Sequence, residues 1–311
     1  MTGPLAAYGG VRPPAPDWFT QAIEQRPETS FVAVAGARIA MLTWGERGKP
    51  GLLLVHGSSA HAHWWSHIAP FFAEDYRVAA FSLSGCGDSD DREAYTYELF
   101  GEELAAVAEA AGLFDGPAKP LVVGHSFGGL IVALATARQP GRFGGGVIVD
   151  AYLSEDTRRF KAPPEWRARK LKAYPDLASA LARFRVQPPQ SCHNDYIADH
   201  FARLGLRRQM LEDGSAEGYA WRFDMKVPAS MPVVPITPSL ARPGCALAFI
   251  AGDHSLVTGD HVKNFVMGAV PVGTPWIRIP DAEHHILLDQ PLALIAALRG
   301  LFASWPAVVS E

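Results

Sequence analysis

The chain has 311 residues, of which 48% are hydrophobic and 19% are charged, and its formal net charge is −4. This is the composition of an ordinary globular protein with enough apolar material for a large core. It excludes the strongly basic surface of a nucleic-acid-binding protein and the polybasic signal of a membrane-surface protein. We therefore expect neither nucleic acid nor a membrane as a partner.

The start of the chain and its cysteines indicate the compartment. The first sixteen residues lack the basic start and apolar stretch of a signal peptide. No apolar run reaches the roughly 18 residues that would span a bilayer. Three cysteines are too few and too scattered for a disulfide framework, which favours a reducing environment. Together these features predict a cytoplasmic protein.

In chain order, the predicted elements begin with a proline- and glycine-rich tail or strap over residues 1–27, which includes a helix over 17–25. Two strand-like runs, 30–34 and 39–44, predict a hairpin. Short apolar strands and helical segments then alternate over residues 52–55, 64–72, 77–81, 97–111, 121–123, 146–149, 246–251, 262–269, 276–279 and 291–302. This alternation predicts an α/β fold with a mostly parallel central sheet flanked by helices.

The alternation stops between residues 152 and 242, which we call the insertion. It contains helical runs over 164–174, 176–185 and 195–209, followed by a proline-rich return, and no segment in it predicts a strand. We therefore predict a helical cap over the carboxyl ends of the strands, where open α/β sheets bind ligands. Residues 28–151 and 243–311 would then form the core domain.

The most informative motif is Gly124-His125-Ser126-Phe127-Gly128, which lies between an apolar strand and an apolar helix. This context predicts a sharp turn that lifts the serine hydroxyl above the sheet, with the amino end of the helix behind it. The positions two before and two after the serine approach each other in such a turn, so glycine at both avoids a clash. The context favours a nucleophilic serine over a glycine-rich connection without chemistry.

A serine hydroxyl is a weak nucleophile at neutral pH and needs a histidine base that is oriented by a carboxylate. Two adjacent histidines, His284 and His285, stand just after the final predicted strand. Parallel strands present their carboxyl ends at one edge of a sheet, so this loop is a natural place for the base.

Four segments in this order make the chain resemble the α/β-hydrolase superfamily: His56-Gly57-Ser58, residues 83–89, the Ser126 turn and the His284 loop. The resemblance implies that fold, with no cofactor and no metal. Its pattern Pro-x-x-Gly-His-x-x-x-x-Glu-x-Pro implies that His284 is the base, although Glu283 replaces the usual glycine. His285 remains the adjacent alternative.

The acid departs from the superfamily's usual pattern. Its usual position follows the strand over 246–251, where this chain reads Gly252-Asp253-His254-Ser255 and the serine replaces the acid. Other members carry the acid after the strand that follows the nucleophile helix, and there this chain has Asp150. We therefore predict Asp150 as the acid, with Asp253 as the alternative.

The resemblance also implies an oxyanion hole formed by the backbone N–H groups of Ser58 and Phe127. The hydroxyls of Ser58 and Ser59 are either further donors or parts of a small-residue turn. His61, His63 and His67 have no cysteine or acidic partner at metal-ligand spacing, so we expect no metal there. Aromatic residues near these loops and in the insertion are candidates for the substrate pocket: Trp64, Trp65, Tyr152, Trp166 and Trp221. Of the adjacent pair Trp64 and Trp65, one is expected in the core and the other in the pocket wall.

These features predict a serine hydrolase that cleaves an apolar or aromatic carboxylic ester or lactone through an acyl-enzyme. A serine nucleophile disfavours the superfamily's epoxide hydrolases and haloalkane dehalogenases, which attack with aspartate. The alternatives are a carbon–carbon bond hydrolase or lyase of the same fold, and a small-molecule receptor that has lost turnover. The missing acid at Ser255 favours the receptor, whereas the Ser126 and His284 pair disfavours it.

Overall fold

A computed structural model describes residues 3–155, 171–227 and 231–305. In chain order the strands are β1 (Glu28–Val34), β2 (Ala37–Trp44), β3 (Gly51–Val55), β4 (Arg77–Phe81), β5 (Leu121–His125), β6 (Gly145–Val149), β7 (Leu206–Met210), β8 (Glu217–Trp221), β9 (Ala246–Gly252) and β10 (Trp276–Ile279). Eight of them form one sheet in the order β1-β2-β4-β3-β5-β6-β9-β10. The pairs β1–β2 and β2–β4 are antiparallel, and the other pairs are parallel. The predicted α/β fold is confirmed.

The described α-helices are α1 (Asp17–Glu24), α2 (Tyr97–Ala110), α3 (Phe127–Arg138), α4 (Leu177–Leu181), α5 (Asp195–Leu204), α6 (Thr237–Ala241), α7 (Asp260–Ala269), α8 (Ile286–Asp289) and α9 (Pro291–Ser304). The single helix predicted over 64–72 is wrong. Two short 3₁₀ helices, Ala62–Trp65 and Ala69–Phe72, occupy this region instead. Pro70 lacks the N–H group that a continuous α-helix would need at that point, so the two pieces stay separate.

The sheet has two buried faces, and the apolar alternation of its strands fills both. In β3, Leu53 and Val55 join the cluster beneath α2 and α3, whereas Leu52 and Leu54 join the cluster beneath α9. Alternate side chains of a strand point to opposite faces, so this short all-apolar strand belongs in the middle of a covered parallel sheet.

The strand register brings four loops together at one edge of the sheet. Val55 pairs with Gly124, His125 pairs with Val149, and Val149 pairs with Ile250. The residues that follow β3, β5, β6 and β9 therefore emerge side by side. Segments far apart in sequence meet there because parallel strands end at the same edge.

The insertion differs from its prediction. It contains a two-stranded antiparallel hairpin, β7–β8, where no strand was predicted, and the helix predicted over 195–209 ends at Leu204. In β7 the polar residues Arg207, Arg208 and Gln209 follow Leu206, so the strand lacks an apolar run that would reveal it. The helix predicted over 164–174 lies largely outside the described residues.

The segment 3–16, which we call the strap, lies on the insertion. The N–H of Gly3 donates to the carbonyl of Ala182 at 3.0 Å, and the Tyr8 hydroxyl donates to Asp195 at 2.8 Å. Leu5 is buried in the apolar cluster of the insertion. Within the described ranges, no helix is long and apolar enough to cross a membrane.

Candidate active site

Ser126 stands in a strained turn between β5 and α3. Its φ of 53° and ψ of −118° lie in a region that non-glycine residues rarely adopt. A Cβ on Gly124 would collide with the carbonyl oxygen of Gly128, and a Cβ on Gly128 would collide with that of His56. The two glycines therefore let the turn close, and the turn holds the serine at the carboxyl edge of the sheet.

The structure brings Ser126, His284 and Asp150 into one hydrogen-bonded chain. The distance from Ser126 Oγ to His284 Nε2 is 3.0 Å, and His284 Nδ1 lies 2.8 Å from Asp150 Oδ1. The carboxylate can only accept here, so Nδ1 carries the proton and Nε2 is free to accept from the serine hydroxyl. His284 and Asp150 are both buried, which keeps water from competing for these bonds.

Asp150 is fixed by more than the histidine. Its Oδ1 also accepts from the Ser255 hydroxyl at 2.7 Å, and its Oδ2 accepts from the Gly252 N–H and the Thr258 hydroxyl, each at 2.8 Å. Four donors thus saturate a buried carboxylate and fix its orientation toward His284.

The alternative acid, Asp253, lies elsewhere. Its side chain is one-third exposed, accepts from the N–H of Ala282 at 3.3 Å and lies 3.7 Å from His254 Nε2. Within the described ranges it makes no hydrogen bond to His284. The structure thus places Asp150, not Asp253, against the imidazole.

The alternative base, His285, also occupies a different place. Its ring makes an edge contact with the ring of His284, 4.7 Å between centroids, and a second contact with Trp64. Burial holds the pKa of His285 well below its ordinary value, so this imidazole is neutral. His284 is the one of the pair that contacts Ser126.

Sequence reasoning missed three residues of this site. Ser255 and Thr258 bond Asp150, and the His125 Nε2–H donates to the carbonyl of His284 at 3.0 Å. Burial lowers the pKa of His125 to about 3, so it acts as a neutral donor. The only signal in the sequence was Ser255 itself, a hydroxyl at the position where an acid is usual.

The two N–H groups that the resemblance predicts as oxyanion donors are those of Phe127 and Ser58. Phe127 opens α3, and within the described ranges neither its N–H nor that of Ser58 donates a hydrogen bond. A Cβ built on Gly57 would lie 3.2 Å from the Cβ of Ser126, so this loop passes directly beside the nucleophile. Both N–H groups are therefore available to a negatively charged oxygen near Ser126.

A cavity of about 530 Å³ lies between this edge of the sheet and the insertion. Ser58 and His285 line this cavity, and its aromatic walls come from Trp64, Phe184, Phe201, Trp221 and Phe223. Trp64 stacks on Phe201 with ring centroids 4.2 Å apart. Two of the five pocket candidates, Trp64 and Trp221, thus line this cavity.

The other pocket candidates lie elsewhere. Trp65 is fully buried in the core beneath α9, so its assignment to the pocket is wrong. Tyr152 is absent from the described lining and packs beside His261, 6.1 Å between ring centroids. Trp166 lies outside the described residues.

Within the described ranges, one group of histidines has ring nitrogens within 4.8 Å of one another: His125, His284 and His285. Both nitrogens of His284 are already bonded, to Ser126 and Asp150, which suits proton transfer better than metal binding. His61 and His67 instead hydrogen-bond backbone carbonyls, each at 3.0 Å.

Comparisons with known proteins agree with this architecture. The model of the alpha/beta hydrolase family matches residues 52–298. Epoxide hydrolase 4 of Mus musculus is 22% identical over 283 residues, covering 83% of this chain and 74% of the relative. The monoacylglycerol lipase of Mycolicibacterium smegmatis is 34% identical over 129 residues, covering 40% of this chain and 46% of the lipase. A structure of the M. tuberculosis esterase Rv0045c superposes with a TM-score of 0.71 at 23% identity, covering 96% of each chain.

Proposed function

The chain belongs to the alpha/beta hydrolase family, and from this premise we propose that it is a serine hydrolase that cleaves a carboxylic ester or lactone through an acyl-enzyme. The observation that carries the proposal is the chain of contacts from Ser126 Oγ to His284 Nε2, at 3.0 Å, and from His284 Nδ1 to Asp150, at 2.8 Å. Ser126 lies in the turn between β5 and α3, and the N–H groups of Phe127 and Ser58 donate no hydrogen bond among the described residues.

In the first half of the reaction, Ser126 Oγ attacks the substrate carbonyl while His284 Nε2 takes its proton. Asp150 stabilises the imidazolium that results. The N–H groups of Phe127 and Ser58 bind the negative oxygen of the tetrahedral intermediate. As the intermediate collapses, His284 returns the proton to the leaving alcohol and an ester on Ser126 remains.

In the second half, water attacks this ester with His284 again as the base, and the acid product leaves. A lactone follows the same steps, with the leaving alcohol still tethered to the acyl group. No cofactor enters either half.

A serine nucleophile favours ester cleavage among the activities named for the relatives. A serine that opened an epoxide would form an ether, and a water activated by histidine does not hydrolyse an ether. Attack on an ester instead forms an acyl-enzyme that the same base can hydrolyse. Ser126 therefore supports ester cleavage, and one relative of this chain is named a monoacylglycerol lipase.

The cavity supports an apolar or aromatic substrate. Its volume of about 530 Å³ suits a small organic molecule, and its aromatic walls favour apolar or ring-bearing groups. Cys86, Cys192 and Cys245 are all free thiols, which supports action in the cytoplasm.

Covalent labelling tests the proposal. Intact mass after exposure to a fluorophosphonate should show one adduct, mapped to Ser126, because the reagent captures a serine that its base activates. The Ser126→Ala variant should show no adduct, and its kcat on a p-nitrophenyl ester should fall by about 10⁴-fold or more. Absence of the adduct from a folded wild-type sample would refute the proposal.

A further inference from the structure

The loop that carries His284 is held from outside the core domain by one side chain of the insertion. Gln190 donates through Nε2 to both carboxylate oxygens of Asp289, each at 2.8 Å. Its Oε1 accepts the backbone N–H of His285, also at 2.8 Å. One amide therefore spans the loop from the residue after His284 to the end of α8.

Asp289 completes the connection on the other side. Its Oδ2 accepts the backbone N–H of Glu283 at 2.8 Å. The N–H groups of both neighbours of His284 thus end on the Gln190–Asp289 pair, one on each member. A bond on either side of a residue restricts rotation of its backbone, and so restricts the direction of its side chain.

We propose that Gln190 is a positioning residue for His284, so that a correctly seated insertion is part of the hydrolytic machinery. The inference rests on the proposed function. His284 Nε2 must stay within hydrogen-bond reach of Ser126 Oγ, now at 3.0 Å. A displacement of about 1 Å at a reacting group can cost about 10²-fold in rate.

A neighbouring contact provides the matched control. Asn194 also joins the insertion to this region, and its Nδ2 donates to the backbone carbonyls of Leu288 at 2.7 Å and of Asp289 at 3.1 Å, without bonding the Asp289 carboxylate. It touches neither N–H beside His284. Loss of Asn194 therefore tests the seating of the insertion in general, whereas loss of Gln190 tests the His284 loop in particular.

The first test compares wild type, Gln190→Ala and Asn194→Ala in the full chain. We expect Gln190→Ala to lower kcat by about tenfold to 10²-fold with KM changed by less than about threefold. The rate of fluorophosphonate labelling at Ser126 should fall in parallel. Asn194→Ala should stay within about twofold of wild type on both measures. Equal losses in the two variants, or unchanged labelling in Gln190→Ala, would overturn the inference.

A pH profile adds a readout that a merely structural role would not move. Burial raises the pKa of Asp289 to about 6, and the charge of Glu283 also raises it, while the hydrogen bonds from the Glu283 N–H and from Gln190 and the charge of His193 lower it. Cys192 also lies near. In Gln190→Glu the two carboxyls would share a proton at low pH and repel each other once it is lost. The kcat of Gln190→Glu relative to wild type should therefore fall from pH 5.5 to pH 8, and more steeply than that of Gln190→Ala, which has no second carboxyl to repel Asp289. A pH-independent ratio for Gln190→Glu would contradict the inference.

Proton NMR without substrate separates the two proposals. The downfield signal of the His284 Nδ1–H that donates to Asp150 should be sharp in wild type and broadened or lost in Gln190→Ala. If wild type shows this signal but takes no fluorophosphonate label, the proposed function alone is refuted. If the signal is identical in wild type and Gln190→Ala and their thermal midpoints are equal, the positioning role alone is refuted.

Discussion

Two loops meet beside His284 at the ends of the neighbouring strands β6 and β9, and they contribute different chemistry to one carboxylate. The β6 loop supplies the charge through Asp150. The β9 loop supplies three of the donors that hold it, from Gly252, Ser255 and Thr258. A function that the superfamily usually places on the β9 loop is thus divided here between two loops.

A protein that had only lost the acid of the β9 loop would differ at Ser255 from one whose acid lies on the β6 loop. If the acid had only been lost, the Ser255 hydroxyl would have no carboxylate to bind. In this protein its hydroxyl lies 2.7 Å from Asp150 Oδ1, the oxygen that also accepts from His284. Asp253 belongs to the same loop, yet it bonds the N–H of Ala282. A carboxylate close in sequence to the usual position of the acid therefore does not by itself contact the histidine.

Removal of the charge from the β6 loop should have the largest effect on catalysis. Asp150→Asn should lower kcat by roughly 10³- to 10⁴-fold, because an amide neither fixes the imidazole tautomer nor stabilises the imidazolium. Steady-state kinetics on a p-nitrophenyl ester would measure this. The matched change Asp253→Asn should stay within about twofold. A larger loss in Asp253→Asn than in Asp150→Asn would reverse the assignment of the acid.

Moving the charge to the β9 loop tests whether that loop can direct a carboxylate at His284. In Asp150→Asn with Ser255→Asp, a carboxylate returns to the superfamily's usual position beside the same oxygen of residue 150. We expect kcat to recover about tenfold over Asp150→Asn alone. It should stay below wild type because the β9 loop is arranged to donate hydrogen bonds to residue 150 and not to direct a carboxylate at His284. If the double variant is no better than Asp150→Asn, the β9 loop cannot direct a carboxylate at His284.

The smallest expected effect comes from the donors. Ser255→Ala removes one hydrogen bond to a buried carboxylate, which should lower the free energy of unfolding by about 1.5–3 kcal/mol. It leaves the Asp150 contact with His284 in place, so we expect kcat to fall by less than about tenfold. Urea denaturation and ester kinetics would measure the two effects. Unchanged stability would mean that water replaces the Ser255 hydroxyl.

The sequence predicts the residues of the hydrogen-bonded chain better than it predicts the residues that hold them in place. Ser126, Asp150 and His284 each follow a short apolar strand, and the parallel register brings such positions together. Local pattern therefore carries most of the information needed. Gln190 shows the limit, because its bonds depend on how an irregular segment of the insertion settles on the core, and no periodicity encodes that.

The same contrast holds for the fold. The central strands β3, β4, β5, β6 and β9 are buried on both faces and were predicted within a few residues of their observed bounds. The β7–β8 hairpin was missed because its half-exposed strands carry polar residues and are stabilised mainly by pairing with each other. Trp64 and Trp65 are adjacent and chemically alike, so only the tight 3₁₀ turn that carries them sends one to the cavity and the other to the core.

The strap at the beginning of the chain has a practical consequence for anyone who trims the protein to its hydrolase domain. Leu5 packs in the same apolar cluster as Trp64 and Phe184, two walls of the cavity. The Arg203 guanidinium on α5 also donates to the carbonyl of Gly10 at 2.7 Å. Cutting the chain back to β1 would therefore uncover the outer side of the cavity while leaving the sheet beneath it untouched.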